Sequence, residues 1–199
     1  DDKYSGYQKV AANVIAMDGT NWFSSFTIDK GSKEGIKKGM NVIAGSGLVG
    51  IVTDVGPNFA KVRSIIDDSS NVSSMVLTTK DNFNVGGSLK SMNQDKVLPF
   101  TELRDEDDKV KVGDPVVTSY VSDQYQEGIL IGYIASIEKN ANNLTKSGTI
   151  TPVVDFQHLR EVLVITTLKD TGEKELSSQK ASDTQAETQD NTETQKSQE

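Results

Sequence analysis

The chain has 199 residues, 21 basic and 29 acidic side chains for a net charge of −8, one histidine and no cysteine. That composition excludes a disulfide framework, a thiolate zinc centre and a cysteine nucleophile, while the length admits one large domain or two small ones. Residues 171–199 carry three Lys against seven acids, so half the excess charge is in the tail, and the remaining lysines are too scattered for the basic surface a nucleic acid demands.

Residues 1–7 are polar, with Tyr4 and Tyr7 three apart, a spacing suited to the last turn of a helix arriving from upstream. No run of about eighteen apolar residues is present, so nothing in this sequence is expected to span a membrane as a helix. Val and Ile outnumber Leu by 33 to 11, a balance that suits pleated sheets and predicts an all-β body. About twelve short strand-like runs follow, each bounded by turn residues. The first six are 10–17, 23–29, 42–43, 48–53, 61–66 and 72–78. The second six are 83–89, 96–100, 116–117, 128–134, 149–154 and 161–168. Only 32–38 and 155–161 look able to form helical turns.

Two stretches share a glycine-framed pattern. Gly39-Met40-Asn41-Val42-Ile43 is followed by Gly47-Leu48-Val49-Gly50, and Gly113-Asp114-Pro115-Val116-Val117 by Gly128-Ile129-Leu130-Ile131-Gly132. A glycine within a strand marks a bulge or bend, the device that curls a small sheet into a barrel. The units fall third and fourth in each set of six, which predicts two six-stranded barrels in tandem. Their expected spans are 10–80 and 81–170, with strands open to exchange at the boundary. Chance likeness between common β motifs is the alternative to duplication. Residues 171–199 have no aromatic residue and one Leu, too little apolar surface to offset ordering, and are expected to be disordered.

Chemistry is sparse. Gly45-Ser46-Gly47 echoes a serine in a glycine-rich loop, but a nucleophile needs a base and an orienting group, and His158 is the single histidine. The acids at 67–68 and 105–108 lack the alternating oxygens and glycine of a calcium loop and read as solvated turns. No P-loop lysine follows either glycine unit. No catalytic residue, metal or cofactor is therefore expected. Asn71-Val72-Ser73 and Asn143-Leu144-Thr145 fit a glycosylation pattern, which matters only in a eukaryotic secretory setting. Asn21-Trp22-Phe23 puts the only Trp beside a Phe at a strand entrance. Adjacent strand residues face opposite sides, so one of Trp22 and Phe23 is either an exposed contact anchor or a barrel-end plug.

These motifs resemble a known family. Asn21-Trp22-Phe23, Ile28-Asp29-Lys30-Gly31-Ser32, Gly35-Ile36-Lys37-Lys38-Gly39-Met40, Gly47-Leu48-Val49-Gly50, Val112-Gly113-Asp114, Val117-Thr118-Ser119, Gly128-Ile129-Leu130-Ile131-Gly132 and residues 152–164 are similar, in order and spacing, to the bacterial rod shape-determining protein MreC. The likeness covers about residues 4–168. It implies two extracytoplasmic β-barrels on a chymotrypsin-like plan without protease activity. It also implies an upstream coiled coil, ending within 1–9, and a membrane helix absent from this sequence. The implied role is a scaffold of cell-wall elongation, binding itself, a class B penicillin-binding transpeptidase, MreD, MreB and RodA. Expected contacts are Trp22, Phe23, Leu48, Val49 and Tyr120, the last standing where the family usually has glycine. A peptidoglycan- or carbohydrate-binding module using Trp22, and a relic serine hydrolase using Ser46, are the rival readings.

Overall fold

The computed structural model describes residues 4, 6–17, 22–105, 107–141 and 144–169. The tail at 171–199, Asn21, Glu106 and Asn143 lie outside the described residues. Twelve strands form the described body: β1 (Lys9–Met17), β2 (Ser25–Ile28), β3 (Asn41–Ala44), β4 (Gly47–Val55), β5 (Ala60–Ser64), β6 (Asn71–Val76), β7 (Asn82–Gly86), β8 (Leu98–Leu103), β9 (Pro115–Thr118), β10 (Leu130–Lys139), β11 (Lys146–Pro152) and β12 (Glu161–Ile165). The all-β expectation holds, and each predicted run overlaps a strand.

The helical expectations fare less well. Residues 32–38 yield a 3-10 turn at Ser32–Glu34, but 155–161 yields only turns. Among the described residues the one α-helix, α1 (Leu89–Asp95), begins where the seventh strand was expected to end. Ser88 caps it, its Oγ accepting the Ser91 N–H at 3.1 Å, and Lys96 stops it in the left-handed conformation.

Hydrogen bonding runs in two circuits. β6, β7, β8, β11, β10 and β9 pair in that order and close as a six-stranded barrel, the second ring. β1, β2, β5, β4, β3 and β12 likewise pair back to their start, the first ring. Leu130 of β10 and Gly47 of β4 join the rings through a parallel pairing. The sixth strands are traded: β6 follows β5 in the chain yet pairs with β7 and β9, while β12 follows β11 yet pairs with β1 and β3. Strand pairing thus crosses the 80/81 boundary in both directions.

The glycine units set the curl. Opposite β3, Gly50 pairs with Val42 and Leu48 with Ile43, leaving Val49 as an extra bulged residue. Opposite β9, Gly132 pairs with Val116 and Leu130 with Val117, leaving Ile131 extra. A second register shift follows three residues beyond each glycine, at Thr53 and Ala135. A Cβ on Gly50 would stand 2.0 Å from the Arg63 carbonyl oxygen, and one on Gly132 2.1 Å from that of Thr151. No L side chain fits there, so the strand can press onto its neighbour and turn the sheet's corner. One apolar cluster then fills both rings, including Val42, Leu48, Val52 and Val62 in the first and Val85, Phe100, Ile134 and Ile150 in the second.

An ionic clasp closes one flank of the second ring. Asp105 is buried, and its carboxylate accepts the Lys109 and Val110 backbone N–H groups at 2.9 and 3.1 Å and Lys146 Nζ at 2.6 Å. Lys146 also reaches Asp108, which bonds Lys139 Nζ at 2.7 Å, so the acidic loop is fastened to the β10–β11 hairpin. Burial alone would raise the Asp105 carboxyl, but the Lys146 and backbone hydrogen bonds outweigh it and hold it below its ordinary value. Hydrogen bonds from Lys139, then Lys146, bring Asp108 down to about 2.

Two measurements check this account. Gly132→Ala should cost about 3 kcal/mol in chemical denaturation, because the clash is with backbone. Gly86→Ala, whose Cβ would find its nearest neighbour at 3.9 Å, should cost about 1 kcal/mol or less. Both carboxyls have depressed folded values, so their stabilisation is complete above the unfolded value near pH 4 and is lost as pH falls towards 2. Lys146→Ala should remove about 3 kcal/mol at pH 7 by stranding the buried Asp105 carboxylate, and the difference should shrink in melts approaching pH 2.

Candidate partner-binding surface

The five expected contact residues separate by burial. Trp22 is only 5% exposed, and its indole Nε1 donates to Asn93 Oδ1 on α1, so it plugs the space between the first ring and that helix. Leu48 and Val49 are both fully buried. The bulge explains this, since an extra residue breaks the in-out alternation and lets two successive side chains face the core. All three side chains are enclosed within the fold. Phe23 is half-buried, edge-on to Phe26 with ring centroids 6.1 Å apart. Tyr120 is 54% exposed, beside Val121 at 59%.

Tyr120 and Val121 form an exposed turn just after β9 in the loop leading to β10, and several other residues of that loop are held by hydrogen bonds. Thr118 Oγ1 donates to the Gln126 carbonyl at 2.6 Å and accepts the Ile129 N–H at 2.8 Å. Asn41 Nδ2 of the first ring donates to the Gln124 carbonyl at 2.9 Å, and Asn41 Oδ1 accepts the Gln126 N–H at 2.7 Å. Tyr125 is buried between these two anchors, and burial pushes its hydroxyl up to about 12 against the pull of Arg63. Sequence reasoning singled out Tyr120 and passed over Tyr125, which carries no signal beyond being an aromatic in a polar loop.

Tyr4 was legible only as half of a Tyr4–Tyr7 spacing. It is buried at the seam, donating its hydroxyl to the Ser46 carbonyl at 2.9 Å and accepting the Leu130 N–H at 3.0 Å. One side chain from the upstream segment thereby ties Leu130 to Ser46, the residue just before Gly47 at the parallel junction. Burial raises its hydroxyl's pKa.

A groove of about 540 Å³ runs beside Phe23, lined by Ile15, Met17, Leu159 and Arg160. An adjoining open cleft of about 660 Å³ holds Ser46, Asp155 and His158. His158 Nδ1 lies 2.8 Å from Asp155 Oδ2, with both side chains well exposed. Among the described residues no hydrogen bond links Ser46 to His158, so the nucleophile-base contact of a serine hydrolase is unmade. Of the acids expected as solvated turns, Asp67 engages its own turn, Oδ1 accepting the Ser69 N–H at 2.9 Å, whereas Asp105 departs from that expectation, being buried and paired with the distant Lys146. No group of three or more His, Cys, Asp or Glu placed to hold a metal is present among the described residues, and no described helix is long and apolar enough to cross a membrane.

Curled rings with rigid loops and exposed apolar turns define an all-β barrel module. The model of the rod shape-determining protein MreC barrel core matches residues 14–166, and the chain belongs to that family. The cell shape-determining protein MreC of Listeria monocytogenes serovar 1/2a (strain ATCC BAA-679 / EGD-e) is 33% identical over 166 residues, covering 82% of this chain and 55% of that protein. This chain spans about half the length of the curated relatives it matches. A solved Listeria MreC structure superposes with a TM-score of 0.71 at 33% identity, covering 83% of this chain and 79% of the other. Helicobacter pylori MreC, solved in complex with penicillin-binding protein PBP2, shares the fold with a TM-score of 0.59 at 12% identity, over 80% of this chain and 100% of that one.

Trp22→Ala should cost about 3 kcal/mol or more in chemical denaturation, whereas Tyr120→Ala should stay within about 0.5 kcal/mol. Equal effects would overturn the division between core and surface drawn here.

Proposed function

We propose that this chain is the extracytoplasmic, partner-binding part of a scaffold that maintains rod shape during cell-wall elongation. The reading rests on family membership over residues 14–166 and on the PBP2 bound by its Helicobacter pylori relative. In this reading a membrane helix lying upstream of the sequence anchors the chain. A class B penicillin-binding transpeptidase, MreD, MreB, RodA and further copies of the chain assemble around it. The two strand circuits are tandem barrels on a chymotrypsin-like plan that perform no catalysis. Scaffolding asks for rigid walls and loops rather than a reacting centre.

The observation that carries the reading is the Tyr120–Val121 turn, two exposed apolar side chains on a loop whose base is hydrogen-bonded into both rings. A preorganised aromatic loses little entropy on binding, which makes Tyr120, with Phe23 at its groove, a candidate anchor. The carbohydrate-binding alternative loses its proposed platform with Trp22 buried.

The test is calorimetric titration of the chain with the extracytoplasmic part of the transpeptidase, alongside sedimentation of the chain alone. Tyr120→Ala combined with Val121→Ser should weaken transpeptidase binding or self-association roughly tenfold. Unchanged behaviour in both assays would remove the turn from the interface, and a chain that binds no transpeptidase would remove the partner.

A further inference from the structure

The two rings superimpose residue by residue in their pairing. Aligning Gly50 with Gly132 makes Asn41, Ile51 and Arg63 correspond to Pro115, Tyr133 and Thr151. Ile165 of β12 then corresponds to Leu77, which follows β6 and donates its N–H to the Pro115 carbonyl at 2.9 Å. Residues in register share a face, so each set is a row across the outside of its ring.

The rows differ in what lies over them. On the first ring, residues 124–126 form a roof: two of its backbone hydrogen bonds are made to Asn41, and Tyr125 is buried with Arg63 near enough to act on its hydroxyl. Beneath it Ile165 is fully buried and Ile51 is 7% exposed. On the second ring the row stands open, with Leu77 at 37%, Tyr133 at 44% and Val112 at the rim at 61%. A surface that is covered in one copy of a repeated unit and bare in the other is a vacant seat of known shape.

We propose that the row Leu77–Pro115–Tyr133–Thr151 is the docking face for a transpeptidase loop bearing an apolar or aromatic side chain, laid across the second ring as 124–126 lies across the first. This rests on the reading of the transpeptidase as partner. Among the described residues, a second copy of the chain offers no spare loop at either glycine unit. Its own loop is spent on its first ring, and the counterpart between β3 and β4 is only Gly45 and Ser46. The seat is also more apolar than its twin. Pro115 replaces the amide of Asn41 and Thr151 replaces the cation of Arg63, so the grip comes from burial around Tyr133 and Leu77, not from backbone capture.

Hydroxyl-radical footprinting of the unaltered chain, with and without the extracytoplasmic part of the transpeptidase, reads the seat without a substitution. Tyr133 oxidation should fall several-fold in the complex. In titrations, Tyr133→Arg and Leu77→Glu should each weaken binding about tenfold or more, with denaturation midpoints unchanged. Tyr133 equally reactive in a formed complex, or full affinity in both variants, overturns the seat and leaves the partner standing. No binding by the unaltered chain overturns both. Protection of Tyr133 by raising the chain's own concentration, with no transpeptidase present, gives the seat to a second copy and overturns the assignment.

Discussion

Two backbone contacts decide the shape of this protein. Gly50 against the Arg63 carbonyl and Gly132 against that of Thr151 bring strands together where any side chain would hold them apart. Each contact sits next to a bulge that adds a residue to one strand only, so the sheet bends at the same place in both rings. From that bend follow the closed circuits, the inward turning of Leu48 and Val49, and the matching rows on the outside of the rings. The described body of this chain is, in physical terms, this bend used twice.

Because the bend is written in glycine and β-branched residues, most of the fold was legible in the sequence. The strands lie where Val and Ile runs meet turn residues, and the glycine units fall third and fourth in each half. The helix α1 was not legible, since its seven residues carry little apolar periodicity and its cap is a single serine. The chain's order also hid which ring each sixth strand completes, because local pattern records that β6 and β12 are strands and not whom they pair with.

The contact surface was harder to read, for one reason. Sequence identifies side chains able to anchor a partner, but burial decides whether they are free to do so. Trp22 has the most suitable side chain and is consumed by Asn93 and the core. Tyr133 stands in a strand whose neighbours are buried, and only comparison with its counterpart Ile51 makes its exposure meaningful. A surface residue becomes informative when the same place elsewhere in the fold is filled.

The traded sixth strands carry a consequence for how the molecule comes into being. The gap in the first ring between β1 and β3 is filled by Glu161–Ile165, so a nascent polypeptide must emerge past residue 165 before that ring can shut. The second ring, made wholly from Asn71–Pro152, is complete earlier. Maturation therefore runs backwards relative to synthesis, and the ring begun earlier is the one finished later, exposed in the interval to any chaperone or protease that meets it.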